Sequence, residues 1–232
     1  MDKEISNQAW RQKILSKFEK LASDSKEQKG NFMGYRITVL EGVFSPFDFP
    51  STAICVENLP EIVGPDVESF LEIGAGCGVN TLAVALNSGN LNFLCTDINP
   101  KAVANTNLNL ANHNLPQKCI LSDVFDEVNP DLKYQVIFWN PPFNNVFAKS
   151  DIASDMLLKA GFDPDYAALR KFFEQVKSRL TVNGKVILCT SRVVGDLLLI
   201  KLIAKQNGFK EPKILAEQVN QGMDLCLVEF KL

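Results

Sequence analysis

The stretch Asn140-Pro141-Pro142-Phe143 combines residue types that can serve one chemical purpose. It directly follows the apolar run 134–139, which we predict to be a buried strand. The two prolines fix φ and remove two backbone donors, leaving a rigid turn that presents carbonyls and the Asn140 amide. Such a turn can accept hydrogen bonds from an –NH₂ group, whose lone pair then points at an electrophile. We therefore predict that Asn140, Pro141 and Phe143 are catalytic and that Pro142 and Phe143 touch the substrate; the alternative is a plain exposed turn.

A second pattern runs from Glu72 to Gly78, where three glycines alternate with other residues between a predicted strand and a predicted helix. Glycines permit positive φ angles and let a ligand approach the backbone closely. Asp97 ends the next predicted strand, where a carboxylate can accept both hydroxyls of a ribose. The pattern indicates a nucleoside-type cofactor rather than a structural turn. The predicted cofactor contacts are Glu72, Gly74, Gly76, Gly78, Asp97, Ile98, Asp123, Val124 and Asn140.

The local charge distinguishes two cofactors. The glycine spacing differs from the dinucleotide pattern G-x-G-x-x-G, and a pyrophosphate disfavours a carboxylate such as Glu72 at the turn. S-adenosylmethionine offers a ribose for Asp97 and an ammonium group for Glu72, so we predict it in preference to NAD. We expect Asp123 to accept a hydrogen bond from the adenine amino group and Val124 N–H to reach a ring nitrogen. The alternative is that Asp123 caps a turn.

Strand and helix patterns alternate from residue 67 onward, and two final strand patterns meet across a turn near residue 221. This order predicts an α/β, Rossmann-like fold. Its sheet has seven mostly parallel strands with an antiparallel C-terminal strand, and helices cover both faces. We predict this domain over 65–232, after an N-terminal helical cap and substrate-side segment over 1–64. Phe44 and Phe49 in that segment are predicted to contact the substrate; the alternative is that they fill the core.

The composition argues against several classes of protein, namely strongly basic nucleic-acid binders, metalloproteins and membrane-spanning proteins. The 232 residues carry a net charge of −3, which gives no support for broad electrostatic binding to nucleic acid. The six cysteines stand singly, and the chain has one histidine, so we expect no metal. The polar first residues and the absence of a long apolar run predict a cytoplasmic protein without a membrane span.

These motifs resemble those of class I S-adenosylmethionine-dependent methyltransferases, in the small-domain type of the amino-methylating N-P-P-[FY] branch. The resemblance covers the chain from about Gly42 onward. It implies methyl transfer from S-adenosylmethionine to a planar amino nitrogen, with RNA, DNA or a protein glutamine as the acceptor. Asn144 departs from the His common in guanine-N2 members, and Phe143-Asn144 departs from the Tyr-Ile of glutamine-N5 members, so neither substrate carries over. The alternatives are a small-molecule methyltransferase of the same fold and a non-catalytic S-adenosylmethionine-binding partner subunit.

Overall fold

The computed structural model describes residues 14–21, 23–145, 156–192, 194–220 and 222–232. The helices are α1 (residues 14–21 and 23–24), α2 (Ser51–Val63), α3 (Val79–Asn87), α4 (Pro100–Asn112), α5 (Met156–Lys159), α6 (Ala167–Val176) and α7 (Leu197–Gln206). The strands are β1 (Gln28–Phe32), β2 (Tyr35–Val39), β3 (Ser69–Ile73), β4 (Asn92–Asp97), β5 (Cys119–Leu121), β6 (Tyr134–Trp139), β7 (Leu180–Ser191), β8 (Lys213–Asn220) and β9 (Met223–Phe230).

Seven strands form one sheet in the order β5-β4-β3-β6-β7-β9-β8. Strands β3 to β7 pair in parallel, whereas β9 is antiparallel to both of its neighbours. The predicted Rossmann-like sheet with an antiparallel C-terminal strand is confirmed. The chain order reverses at β3, which has β4 on one side and β6 on the other. Open α/β sheets bind ligands at the carboxyl ends of strands at such a switch point.

Both faces of the sheet are covered. Strand β7 shows this directly, because its successive side chains alternate between two apolar layers. Ile187 and Cys189 pack in the layer that contains α2 and α3, and Val186 and Leu188 pack in the layer that contains α6 and α7. The carboxyl ends of the strands are therefore held by a core on each side.

The helix of the first segment ends earlier than its periodicity predicts. The periodicity predicts a helix over 5–28, but α1 ends by residue 24 and Gln28 begins the hairpin β1–β2; residues 1–13 lie outside the described part. The hairpin is fixed to α4 by amide side chains. Asn109 accepts from Thr38 N–H at 2.9 Å, and Asn105 Nδ2 donates to the Thr38 carbonyl at 2.7 Å. The boundary at residue 64 stays a prediction.

Helix α2 continues past Pro60, where the sequence predicts that it stops. Pro60 lacks the N–H that an interior helical residue donates, yet the helix extends to Val63. Gly64 ends it with φ 76°, and its N–H donates to the Pro60 carbonyl at 3.0 Å. The proline costs one hydrogen bond within the helix, while buried Leu59 and Val63 anchor the last turn in the core.

Candidate active site

A cavity of about 480 Å³ opens at the switch point of the sheet. It lies where the chain leaves β3, β4 and β6, so side chains distant in sequence share its wall. The predicted site residues that line it are Phe44, Phe49, Gly74, Gly76, Asp97, Ile98, Asp123, Val124, Asn140, Pro141, Pro142 and Phe143. Glu72 and Gly78 do not line it.

The glycine turn after β3 needs its glycines for different reasons. Gly74, Gly76 and Gly78 all have φ between 59° and 82°, in the left-handed region. A Cβ on Gly78 would lie 2.8 Å from Thr106 Cγ2, so this glycine lets α3 pack against α4. Apart from its two chain neighbours, no described residue has an atom within 4 Å of a Cβ placed on Gly76. Gly76 therefore leaves open space beside the cavity.

Glu72 faces α3 instead of the cavity. Its fully buried carboxylate accepts hydrogen bonds from Asn80 Nδ2 at 2.9 Å, from Thr81 N–H at 3.0 Å and from the Thr81 hydroxyl. Burial raises the pKa of Glu72 to about 7 despite these bonds, and the charge of Asp97 adds to the rise. Glu72 thus joins the end of β3 to the first turn of α3, which is not the direct cofactor contact that its position in the sequence predicts.

Asp97 presents a partly satisfied carboxylate to the cavity. Its Oδ2 accepts from Gly76 N–H at 2.9 Å, and its Oδ1 accepts from Asn99 N–H at 2.8 Å. Burial raises the pKa of Asp97, and these backbone bonds oppose that rise. Each oxygen keeps further acceptor capacity. The carboxylate is therefore fixed by the backbone and able to accept two hydroxyls.

Asp123 and Val124 form the wall that follows β5. Lys171 Nζ bridges the carboxylates of Asp123 and Asp126 at 2.8 and 2.7 Å. Val124 is buried with φ 54°, which is unusual for a β-branched residue. Strained backbone of this kind persists only where its surroundings impose it, and it often occurs at ligand sites.

Hydrogen bonds from neighbouring segments fix the turn after β6, while one of its side-chain oxygens has no donor in the described part. The Tyr166 hydroxyl lies between the Gly195 carbonyl and the Phe143 carbonyl, the latter at 3.2 Å, and Asn144 Nδ2 donates to the Gly161 carbonyl at 2.8 Å. Asn140 Oδ1, like Asn144 Oδ1, is buried and has no hydrogen-bond partner among the described residues. A buried acceptor without a donor is costly, so this oxygen marks a place where a ligand fits.

Phenylalanine rings close the cavity opposite the sheet. Phe44 and Phe49 stack with centroids 4.5 Å apart, and Phe18 of α1 stacks on Phe49 at 4.6 Å. Phe162 meets Phe18 edge to face at 5.6 Å. All four line the cavity. The predicted substrate-side residues Phe44 and Phe49 thus lie at the site, where an apolar, planar group can pack.

Three polar residues at the site were missed by the sequence reasoning. Thr106 donates to the Gly76 carbonyl at 3.0 Å, and Asn109 Nδ2 donates to the Cys77 carbonyl at 2.8 Å, so α4 fixes the glycine turn. Asn80 lines the cavity itself. In the sequence all three resemble ordinary polar residues of amphipathic helices. Only the four-residue spacing from Asn105 to Asn109 signals that one face of α4 carries amides.

Comparison with known proteins decides the family. The family model described as methyltransferase small domain matches residues 34–210. The chain belongs to this family. It is therefore a methyltransferase of the class I, S-adenosylmethionine-dependent type, as the motifs predict, and its cofactor is S-adenosylmethionine.

Named relatives are similar over different lengths. The release factor glutamine methyltransferase of Streptococcus pneumoniae is 28% identical, over 96% of this chain and 81% of its own length. The ribosomal RNA small subunit methyltransferase C of Vibrio vulnificus is 27% identical, over 68% of this chain but only 41% of its own. A 16S rRNA N2 methyltransferase of T. thermophilus, solved with AdoMet and guanosine, shares the fold with a TM-score of 0.64 at 20% identity. That match covers 88% of this chain and 50% of the other.

The residues of the cavity fit S-adenosylmethionine. Asp97 offers acceptors suited to a ribose, Gly76 leaves open space, and Asn80 and Asn140 each hold a buried oxygen without a donor in the described part. Among the residues that the structure describes, no three His, Cys, Asp or Glu side chains cluster as metal ligands. Within the same ranges, no helix combines the length and apolar character that crossing a membrane requires.

Proposed function

We propose that this methyltransferase modifies a planar amino nitrogen that is held by Asn140 and Pro141. The observation that carries the proposal is the buried, unpartnered Asn140 Oδ1 at the wall of the cavity. A planar –NH₂ group supplies the missing donors, and two acceptors on its hydrogens pull the nitrogen toward a pyramidal geometry. The lone pair is thereby freed from the π system for attack on the methyl group.

S-adenosylmethionine supplies the electrophilic methyl group when it is bound. Asp97 would hold the ribose hydroxyls, Ile98 and Val124 would pack on the nucleoside, and Asp123, whose carboxylate is oriented by Lys171, would accept from the adenine amino group. Asn140 and Pro141 hold the acceptor in line with the transferred group, and Phe143 supports its plane. Rate enhancement then comes from positioning and from the fixed dipoles of the turn.

The acceptor that we favour belongs to a macromolecule. The two named relatives act on a glutamine and on ribosomal RNA, and a glutamine amide and a nucleobase amine share a delocalised nitrogen lone pair. We infer RNA, DNA or protein as the source, and the Phe44–Phe49 pair suits the planar group. Because those same rings enclose the cavity together with Phe18, a small planar molecule is the second candidate.

Replacing Asn140 tests the proposal. Asn140→Ala should bind S-adenosylmethionine within a few-fold of the wild-type affinity and lose methyl transfer by at least about 100-fold, because the acceptor is no longer held. Asn112→Ala is the control, because it removes an exposed asparagine amide at the end of α4 that does not line the cavity.

Transfer of a radiolabelled methyl group to total RNA, DNA, protein and low-mass extract, resolved by size, identifies the acceptor class. Label in the low-mass fraction alone selects the second candidate. Undiminished transfer by Asn140→Ala would remove the proposed role of the turn.

A further inference from the structure

The side chain of Asn80 brings an amide oxygen without a hydrogen-bond donor, among the described residues, to the wall of the cavity. The residue lies in the first turn of α3, is 5% exposed and lines the cavity beside the glycine turn. Its Nδ2 donates to Glu72 Oε1 at 2.9 Å. Its Oδ1 is buried and accepts no hydrogen bond from any residue in the described ranges. Gln175 and Gln218 also hold such oxygens away from the cavity, but Asn80 holds its oxygen at the cavity wall, where a ligand can supply the donor.

Glu72 decides which end of the Asn80 amide is available. Glu72 Oε1 accepts from Asn80 Nδ2, so the Asn80 amide oxygen points away from the carboxyl group. The other oxygen of Glu72 is held by Thr81 N–H and the Thr81 hydroxyl, which fixes the carboxylate in turn. The amide therefore presents an acceptor, and not a donor, on its remaining side.

We propose that Asn80 Oδ1 accepts a hydrogen bond from the ammonium group of S-adenosylmethionine and that Glu72 positions the amide for this contact. The inference rests on the proposed placement of the cofactor in this cavity. Of the two charged groups on the amino-acid tail, only the ammonium is a donor, so the free oxygen selects it. The Asp97 carboxylate lines the same cavity, and its negative charge favours a cation there.

Comparing the affinities of three ligands distinguishes the contribution of this contact from that of the rest of the site. S-adenosylhomocysteine carries the ammonium, its desamino analogue lacks only that group, and 5′-methylthioadenosine lacks the whole tail. Calorimetry should show that Asn80→Ala weakens S-adenosylhomocysteine about tenfold or more, the effect of one charge-assisted hydrogen bond. Binding of the other two ligands should change less than about threefold. Asn90→Ala, in the exposed turn after α3, is the control and should leave all three affinities unchanged.

Glu72→Gln provides a second, independent variant. A glutamine amide has a donor that can face Asn80 Oδ1, so the Asn80 amide turns over and points Nδ2 at the ligand. S-adenosylhomocysteine should then lose about tenfold or more in affinity while its desamino analogue loses less than about threefold. A role in packing alone predicts equal losses for all ligands.

The outcomes are separable. Equal losses of all three ligands in Asn80→Ala, or unchanged S-adenosylhomocysteine affinity, would overturn the ammonium contact. Asp97→Ala should weaken all three ligands, because each carries the ribose. If it weakens none while Asn80→Ala behaves as expected, the ammonium contact stands and the ribose placement fails. If the wild-type chain binds no S-adenosylhomocysteine, the cofactor placement itself is refuted.

Discussion

Glu72→Gln should change how the stability of the fold depends on pH. In the folded chain burial raises the pKa of Glu72 from its ordinary 4.5 to about 7. The folded state therefore keeps a proton that the unfolded state has already released between these two values. The stabilisation by the neutral carboxyl is complete below pH 4.5 and is lost as the pH rises through about 7. Glutamine has no proton to lose, so the variant lacks this dependence.

The size of the effect follows from the two pKa values. At ~1.4 kcal/mol per pKa unit, the full difference corresponds to ~3–4 kcal/mol. Between about pH 5 and about pH 8 the stability of the wild-type chain should fall by ~2–3 kcal/mol relative to Glu72→Gln. Groups that titrate identically in both proteins cancel in this comparison.

Urea unfolding at both pH values measures the effect. The useful quantity is the change with pH in the difference between the two unfolding free energies, because the variant also alters the bond to Asn80. The Thr81 hydroxyl donates to Glu72 and lowers its pKa, so Thr81→Val keeps the titrating group and should enlarge the pH dependence. A constant difference between the wild-type chain and Glu72→Gln from about pH 5 to about pH 8 would refute the argument that Glu72 titrates near neutrality.

Two further predictions concern the cofactor side of the cavity. Asp97→Ala should weaken S-adenosylmethionine at least about tenfold in calorimetry, because it removes charged acceptors; unchanged affinity contradicts the ribose role. The exposed Asp131→Ala is its control. Gly78→Ala should destabilise the fold by ~2–4 kcal/mol, since it adds a Cβ contact of 2.8 Å to the cost of a φ of 82°. Gly34→Ala, with φ 98° and open space, should cost only ~1–2 kcal/mol. Equal losses of unfolding free energy in the two glycine variants would show that the contact with Thr106 does not matter.

The sheet and the place of the cavity could be predicted from the sequence because their signals are local. The alternating glycines before α3 and the Asn-Pro-Pro turn after β6 each mark the end of a parallel strand. Such ends meet at one edge of the sheet whatever the intervening helices do. The family resemblance rests on the same short motifs, and the match over residues 34–210 confirms it.

The direction of a side chain and long-range pairing could not be predicted in the same way. Glu72 next to the glycines looked like a ligand for a cation, but only the packing of α3 shows that its oxygens are taken by Asn80 and Thr81. Strand β1 was missed because Gly30 has little intrinsic strand preference, and its pairing with Ile37 supplies the strand. Neither the hydrogen bonds of Glu72 nor the pairing of β1 with β2 can be recognised from a local sequence pattern.

The side chain of Asn109 connects the β1–β2 hairpin to the glycine turn at the cavity. Its Oδ1 accepts a hydrogen bond from Thr38 N–H in the hairpin, and its Nδ2 donates to the Cys77 carbonyl in the glycine turn. Thermodynamic reciprocity then applies: whatever free energy a docked hairpin adds to cofactor affinity, a bound cofactor returns to the docking of the hairpin. The hairpin β1–β2 thus supports the glycine turn through Asn109. Substitutions in the hairpin, far from the reacting atoms, should therefore change the affinity for the cofactor.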